Sequence, residues 1–188
     1  MRPRIEVIAL GGTIASTPGR AGAGVVPGLS AADLVAAVPE AASLAEIGAR
    51  NLSNLPSTEI GLPLLMDLAA AVRAHEAEGV AGVVVTQGTD TIEETAFALD
   101  LLHGGAMPVV VTGAMRHPAL PGPDGPANVF AAVACAADPA ARGLGVLVVL
   151  DEAIHAAAWV RKTDTTATGA FRSPAPLGWM AEGRPVLR

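Results

Sequence analysis

The sequence predicts an α/β fold, Rossmann-like or flavodoxin-like, with a mostly parallel sheet, helices on both faces and a C-terminal hairpin region. Two observations carry this. Apolar, β-rich runs alternate with longer helical stretches through most of the chain, an order that implies right-handed strand–helix–strand crossovers and a sheet covered on both sides. After Asp151 the rhythm changes to short, polar, turn-rich pieces ending in GWMAEGRPVLR, which read as hairpins leading away from the sheet. At 188 residues the chain fits one sizeable domain, spanning 1–188.

The elements follow in order. Ile5–Leu10 is the first strand, and the loop STPGRAGAGVVPG, Ser16 to Gly28, is rich enough in Gly and Pro to act as a mobile lid. Ala31–Val38 reads as a helix, Leu44–Leu52 contains a strand, and Leu62–Ala77 is a long helix. Val83–Thr86 is a β-branched strand that runs into the helix Ile92–Leu102. At that junction Thr91 with Glu94 fits the S/T-x-x-E capping box, and Glu93 favours the positive helix start. Pro108–Thr112 is the next strand. Ala127–Ala137 follows as a helix, capped by Asp124 with Pro126 in its first turn, and Val146–Leu150 is the last parallel strand.

Composition removes several function classes. Hydrophobic residues make up 51% and mean hydropathy is +0.47, yet VFAAVACAA and GVLVVL are broken well short of the ~18–20 residues of a spanning helix. No membrane partner is expected. The N-terminus MRPRIEVIALGGTIA is interrupted by Glu6 and lacks the apolar core of a signal peptide, so a cytoplasmic protein is expected. A net charge of −6 without a basic block, aromatics at 3% and no tyrosine argue against nucleic acid. Cys135 is the only cysteine, which removes intramolecular disulfides and cysteine-based zinc sites; within AAVACAADP it reads as a small buried helix residue. His75, His103, His117 and His155 show no ligand spacing, so no metal is expected.

In open α/β sheets, ligands bind beyond the carboxyl ends of the strands. After the first strand comes GGTIAST, where Thr13 follows two glycines that allow a tight turn and could leave the Gly12 amide pointing at an anion. Neither GxGxxG nor GK[ST] is present, so no nucleotide cofactor is expected. After Val83–Thr86, Thr89 and Asp90 precede the cap, near a helix start that would stabilise developing negative charge. Lys162 in VRKTDTTATGAFRSP is the only lysine, against eleven arginines. Arginine keeps its proton at working pH, whereas a lysine near other charges can become a general base. A threonine hydroxyl needs such a base, and a Thr–Lys–Asp set supplies base and orienter without histidine.

These stretches resemble the asparaginase/glutaminase family of bacterial-type amidohydrolases, the two-threonine group. ALGGTIAST and GVVVTQGTDTIEETAF look like its two signatures, and PVVVTGAMR, DGPANVFAAV and VRKTDTTATGAFRSP recur in family order. The resemblance implies hydrolysis of L-asparagine, or L-glutamine, without a cofactor. By the same resemblance Thr13 is the nucleophile that forms a β-aspartyl ester. Thr89, Asp90 and Lys162 form a second polar group that activates the nucleophile or the water, and the Gly12 and Thr89 amides form the oxyanion hole. Ser57, in NLPSTEI, matches the α-carboxylate position, with Thr58 and Glu59 adjoining it. Asp90 meets the α-ammonium, and the loop at Ala114 contacts the leaving amide.

Two departures accompany the resemblance. Family members place a tyrosine in the first loop, where this sequence has GRAGAGVVPG; the family also carries a second, smaller domain, expected where this sequence stops at Arg188. In tetrameric members a neighbour's second domain completes the site, so a homo-oligomer is implied and weak activity is expected of the chain alone. The alternative is an inactive amino-acid-binding or oligomerising domain of the same fold. An enzyme acting on glutaminyl groups of tRNA is disfavoured by the lack of a basic surface.

Overall fold

Val83, Val84 and Val85 alternate between the two faces of one sheet, and that alternation organises the molecule. The structure is a computed structural model that describes every residue except Thr13, Ala15, residues 19–24 and Gly28; of 16–18 and 25–27 it describes the backbone. In chain order the elements are β1 (Arg4–Ala9), β2 (Ser16–Pro18), β3 (Val25–Pro27), α1 (Ala31–Ala36), β4 (Glu46–Asn51), α2 (Leu62–Ala77), β5 (Gly82–Thr86) and α3 (Ile92–Leu102). They continue with β6 (Val109–Thr112), α4 (Gly125–Ala137), β7 (Val146–Leu150), β8 (Ala153–Ala156), β9 (Arg161–Lys162), β10 (Phe171–Arg172), β11 (Gly178–Ala181) and β12 (Arg184–Leu187).

The main sheet has the order β12-β11-β8-β7-β6-β5-β1-β4, parallel from β4 through β7 and antiparallel beyond. Val84, Val110, Leu147 and Val149 pack on one face with Leu34 of α1 and Val129 and Val133 of α4. Val83, Val85, Val109 and Val111 pack on the other with Leu68 and Val72 of α2 and Ile92 and Leu99 of α3. Burial on both faces explains why the central strands are continuous valine runs, each buried side chain contributing about 1.5–3 kcal/mol relative to an exposed one. Cys135 is fully buried in α4, as expected from its neighbours.

Three expectations need correction. The C-terminal hairpins do not lead away: β8 pairs with β7 and β11 pairs with β8, so the tail extends the sheet, while β9 and β10 form a separate ribbon. Thr91 occupies the cap position of α3 but makes no side-chain cap bond. A 3₁₀ turn, Thr89–Thr91, precedes the helix, and the Thr91 hydroxyl donates instead to the Ser57 carbonyl at 2.9 Å. Asp124 likewise stands at the cap of α4 without capping it, because its carboxylate accepts from the Met115 and Arg116 amides at 2.9 and 2.8 Å. In both places a neighbouring loop offers a better-placed partner than the helix's own first turn.

Candidate active site

The chain leaves β1 through Gly11 and Gly12 with φ of +114° and +88°, values in the left-handed region that favours glycine. A Cβ on Gly12 would lie 2.0 Å from the Gly88 nitrogen, so the loop after β1 and the loop after β5 touch backbone to backbone. A Cβ on Gly11 would lie 2.6 Å from the Leu55 carbonyl oxygen, and the Leu55 amide donates to the Leu10 carbonyl at 2.8 Å. That contact brings in the segment leading to the 3₁₀ turn Ser57–Glu59, where Ser57 is buried and Thr58 and Glu59 are exposed. The bond from Thr91 to the Ser57 carbonyl ties this turn to the one after β5. Gly113 and the buried Ala114 follow directly after β6; a Cβ on Gly113 would come within 3.2 Å of Thr89 Cγ2.

Lys162 reaches this junction from β9. Its Nζ donates to Thr89 Oγ1 at 2.9 Å and to Asp90 Oδ1 at 2.6 Å, joining residues 73 and 72 positions apart. The lysine side chain is 14% exposed and that of Asp90 65%, so the ammonium is largely shielded while the carboxylate faces solvent. Thr89 is buried. The structure thus brings together Thr89, Asp90 and Lys162, with Gly12, Ser57 and Ala114 on the adjoining loops and Thr58 at the exposed edge of the Ser57 turn. Thr13 lies outside the described residues, as does most of the lid expected at Ser16–Gly28. Among the described residues no cluster of His, Cys, Asp and Glu could hold a metal ion, and no helix is long and apolar enough to cross a membrane. A groove of about 540 Å³ lies elsewhere, lined by Glu40, Phe130, Met180 and Glu182 among others.

The family model described as "Asparaginase, N-terminal" matches residues 4–187. The chain belongs to the asparaginase family. It is 40% identical over 178 residues to L-asparaginase 2 of Bacillus subtilis, covering 91% of this chain and 47% of that protein. To the glutaminase-asparaginase of Pseudomonas fluorescens biotype A it is 36% identical over 191 residues, covering 96% of this chain and 51% of that protein. A crystal structure from Campylobacter jejuni, described as a probable cytoplasmic L-asparaginase, superposes with a TM-score of 0.92 at 34% identity, covering 100% of this chain and 57% of that one. This asparaginase-family chain therefore spans about half the length of the curated relatives it matches.

Two residues that hold the loops of the candidate site in this asparaginase-family chain escaped sequence reasoning. Asn128 is buried in α4; its Nδ2 donates to the Gly113 carbonyl at 2.9 Å, and its Oδ1 accepts from the Asp151 amide at 3.0 Å. A carboxamide within the otherwise apolar run NVFAAVACAA was the available signal. Glu93 read as a helix-start acid, but its Oε2 accepts from the Lys162 backbone amide at 2.7 Å. Nothing local in the sequence pointed to a partner 69 residues away.

Proposed function

We propose that the chain is the N-terminal catalytic domain, residues 1–188, of a cofactor-independent amidohydrolase that converts L-asparagine to L-aspartate and ammonia through a threonine ester. The single observation that supports this best is the hydrogen-bonded set Thr89–Lys162–Asp90 at the junction of three strand-end loops. In this reading Thr13 Oγ bonds to the side-chain amide carbon, the C–N bond breaks, and ammonia leaves with a proton. Water then adds to the ester, the C–O bond breaks, and aspartate departs as Thr13 regains its proton. Thr89 and Lys162 relay the proton that Thr13 or the water gives up, on to the departing ammonia or back to Thr13, and the Asp90 carboxylate holds the Lys162 side chain in place for that transfer.

The backbone amides of Gly12 and Thr89 receive the developing oxyanion, Ser57 with Thr58 holds the α-carboxylate, Asp90 meets the α-ammonium, and the Ala114 loop faces the leaving amide. The name of the Pseudomonas relative supports glutamine as a second substrate, since one methylene is worth only about 1–3 kcal/mol in discrimination. A cytoplasmic homo-oligomer fits this reading; exposed Phe97, Leu101 and Trp159 support the association.

The test is ammonia release from asparagine and glutamine by the wild type, Thr13→Ala, Lys162→Met and the double variant. Each single variant should lose most turnover with its fold intact, and the double should be little worse, as members of one catalytic unit are non-additive. Near-wild-type turnover by Thr13→Ala would remove the proposed nucleophile.

A further inference from the structure

We infer that Glu93 is a positioning residue for Lys162, fixing the ammonium against Thr89 and Asp90 through the lysine's backbone; this rests on the catalytic reading of Lys162 given above. The strand β9 contains only Arg161 and Lys162 and pairs with the two residues of β10, outside the main sheet. So short a ribbon has little intrinsic order. Buried Val160, Ala170 and Phe171 seat its ends in the core, and the Glu93 carboxylate ties its main chain to the site: Oε2 accepts from the Lys162 amide at 2.7 Å, and Oε1 lies 3.9 Å from Arg161 Nη1.

Glu93 sits on the first turn of α3, directly after the 3₁₀ turn that carries Thr89 and Asp90. One short stretch of chain therefore supplies both partners of the lysine's side chain and the acceptor for its backbone. The ammonium is gripped at Nζ and the main chain at N, so its position relative to Thr89 is set at two points. A helix-start carboxylate whose only role was to complement the macrodipole could face solvent; this one is 26% exposed and turned onto β9. The Arg161 contact is long and its guanidinium 79% exposed, so the amide bond, not the ion pair, is the tether.

This assignment separates the acceptor from the charge. Glu93→Gln keeps a carbonyl oxygen for the Lys162 amide and loses the charge, whereas Glu93→Ala loses both. Since Lys162 is the only lysine, labelling lysine with heavy nitrogen gives one backbone amide signal and one Nζ signal, readable in the full chain without substrate. In Glu93→Ala the Lys162 amide proton should exchange at least ~10-fold faster and the Nζ signal should be lost, while Glu93→Gln keeps both. In turnover, Glu93→Ala should lose ~10–100-fold in kcat, the scale of a small misplacement, with KM within ~3-fold of wild type.

Wild-type Lys162 signals in Glu93→Ala, or equal damage in Glu93→Gln and Glu93→Ala, would overturn the positioning role. Lys162→Met in the same series distinguishes the two failures. Full turnover in that variant sinks the catalytic reading, and an inactive Lys162→Met beside an undisturbed Glu93→Ala sinks only the inference about Glu93.

Discussion

Gly12 and Gly88 meet backbone to backbone, with room at neither for a side chain pointing at the other: a Cβ on Gly12 would fall 2.0 Å from the Gly88 nitrogen, and one on Gly88 would fall 2.9 Å from Ser57 Oγ. The two clashes differ in kind. The first is against main chain held by parallel strands, at a φ of +88° that an L side chain rarely adopts; the second is looser, 2.9 and 3.0 Å from Ser57 Oγ and Cβ and 3.3 Å from Gly12 Cα, at a φ of −69° open to any residue. Gly12→Ala should therefore cost ~3 kcal/mol or more in unfolding free energy and abolish turnover, whereas Gly88→Ala should cost ~1 kcal/mol. Denaturant unfolding of both variants checks the order; equal costs would mean that the loops separate freely.

Asp90→Asn keeps the shape of the side chain and removes the charge facing Lys162 Nζ at 2.6 Å. Charge-assisted bonds contribute about 1.5–3 kcal/mol, and the exposed carboxylate places this one at the low end. Asparagine turnover and product affinity should fall together, by ~10-fold or more each. Unchanged aspartate affinity by calorimetry would take Asp90 out of the substrate site.

Thr91→Val deletes the donor to the Ser57 carbonyl and leaves that oxygen short of one partner. The expected loss of stability is about 1 kcal/mol, with KM rising more than kcat falls, because the Ser57 turn and not the lysine cluster is released. A drop in kcat alone would show that Thr91 acts on the Thr89 side instead.

His155 is buried, its Nδ1 is 2.7 Å from Ser173 Oγ, and desolvation holds its pKa below the usual 6.5. A depressed value in the folded state means the unfolded chain binds the proton more readily. Stability from this residue is thus present above pH 6.5 and is lost as pH falls through the lowered value. His155→Gln should flatten the acid limb of the stability profile between pH 6.5 and the lowered value; an unchanged limb would assign it to carboxylates. Burial pushes the Cys135 thiol up to about 12, so it should resist alkylation until the chain unfolds, and its stabilising share is lost as pH rises above 9.0.

The parallel core was legible because each central strand is a valine run and each helix has a clear length, as with Leu62–Ala77 and Ile92–Leu102, which the structure reproduces residue for residue. Thr89, Asp90 and Lys162 were legible as candidates because Thr89 and Asp90 stand before the Thr91 cap position and one lysine stands among arginines, and the structure joins the three by hydrogen bonds. What escaped was pairing across space. Thr91 and Asp124 satisfy short-range capping patterns on paper, and only tertiary structure offers the Ser57 carbonyl and the Met115 and Arg116 amides that win their side chains. The direction of the tail was misread because turn-rich hairpins look alike whether they extend a sheet or leave it.

The ribbon of β9 and β10 lies outside the sheet that anchors Gly12, and this sets the order in which the molecule should fail on heating. Opening Arg161 and Lys162 alone, with Val160 and Phe171 staying in the core, exposes little apolar surface, whereas shearing β1 away from β4 and β5 breaks pairing along both of its edges. Lys162 would swing out while the valine core is still intact. Activity should then disappear several degrees below the calorimetric transition and return on cooling, a reversible heat inactivation without unfolding. Loss of activity coincident with the melting of the core would show that the ribbon and the sheet open as one unit.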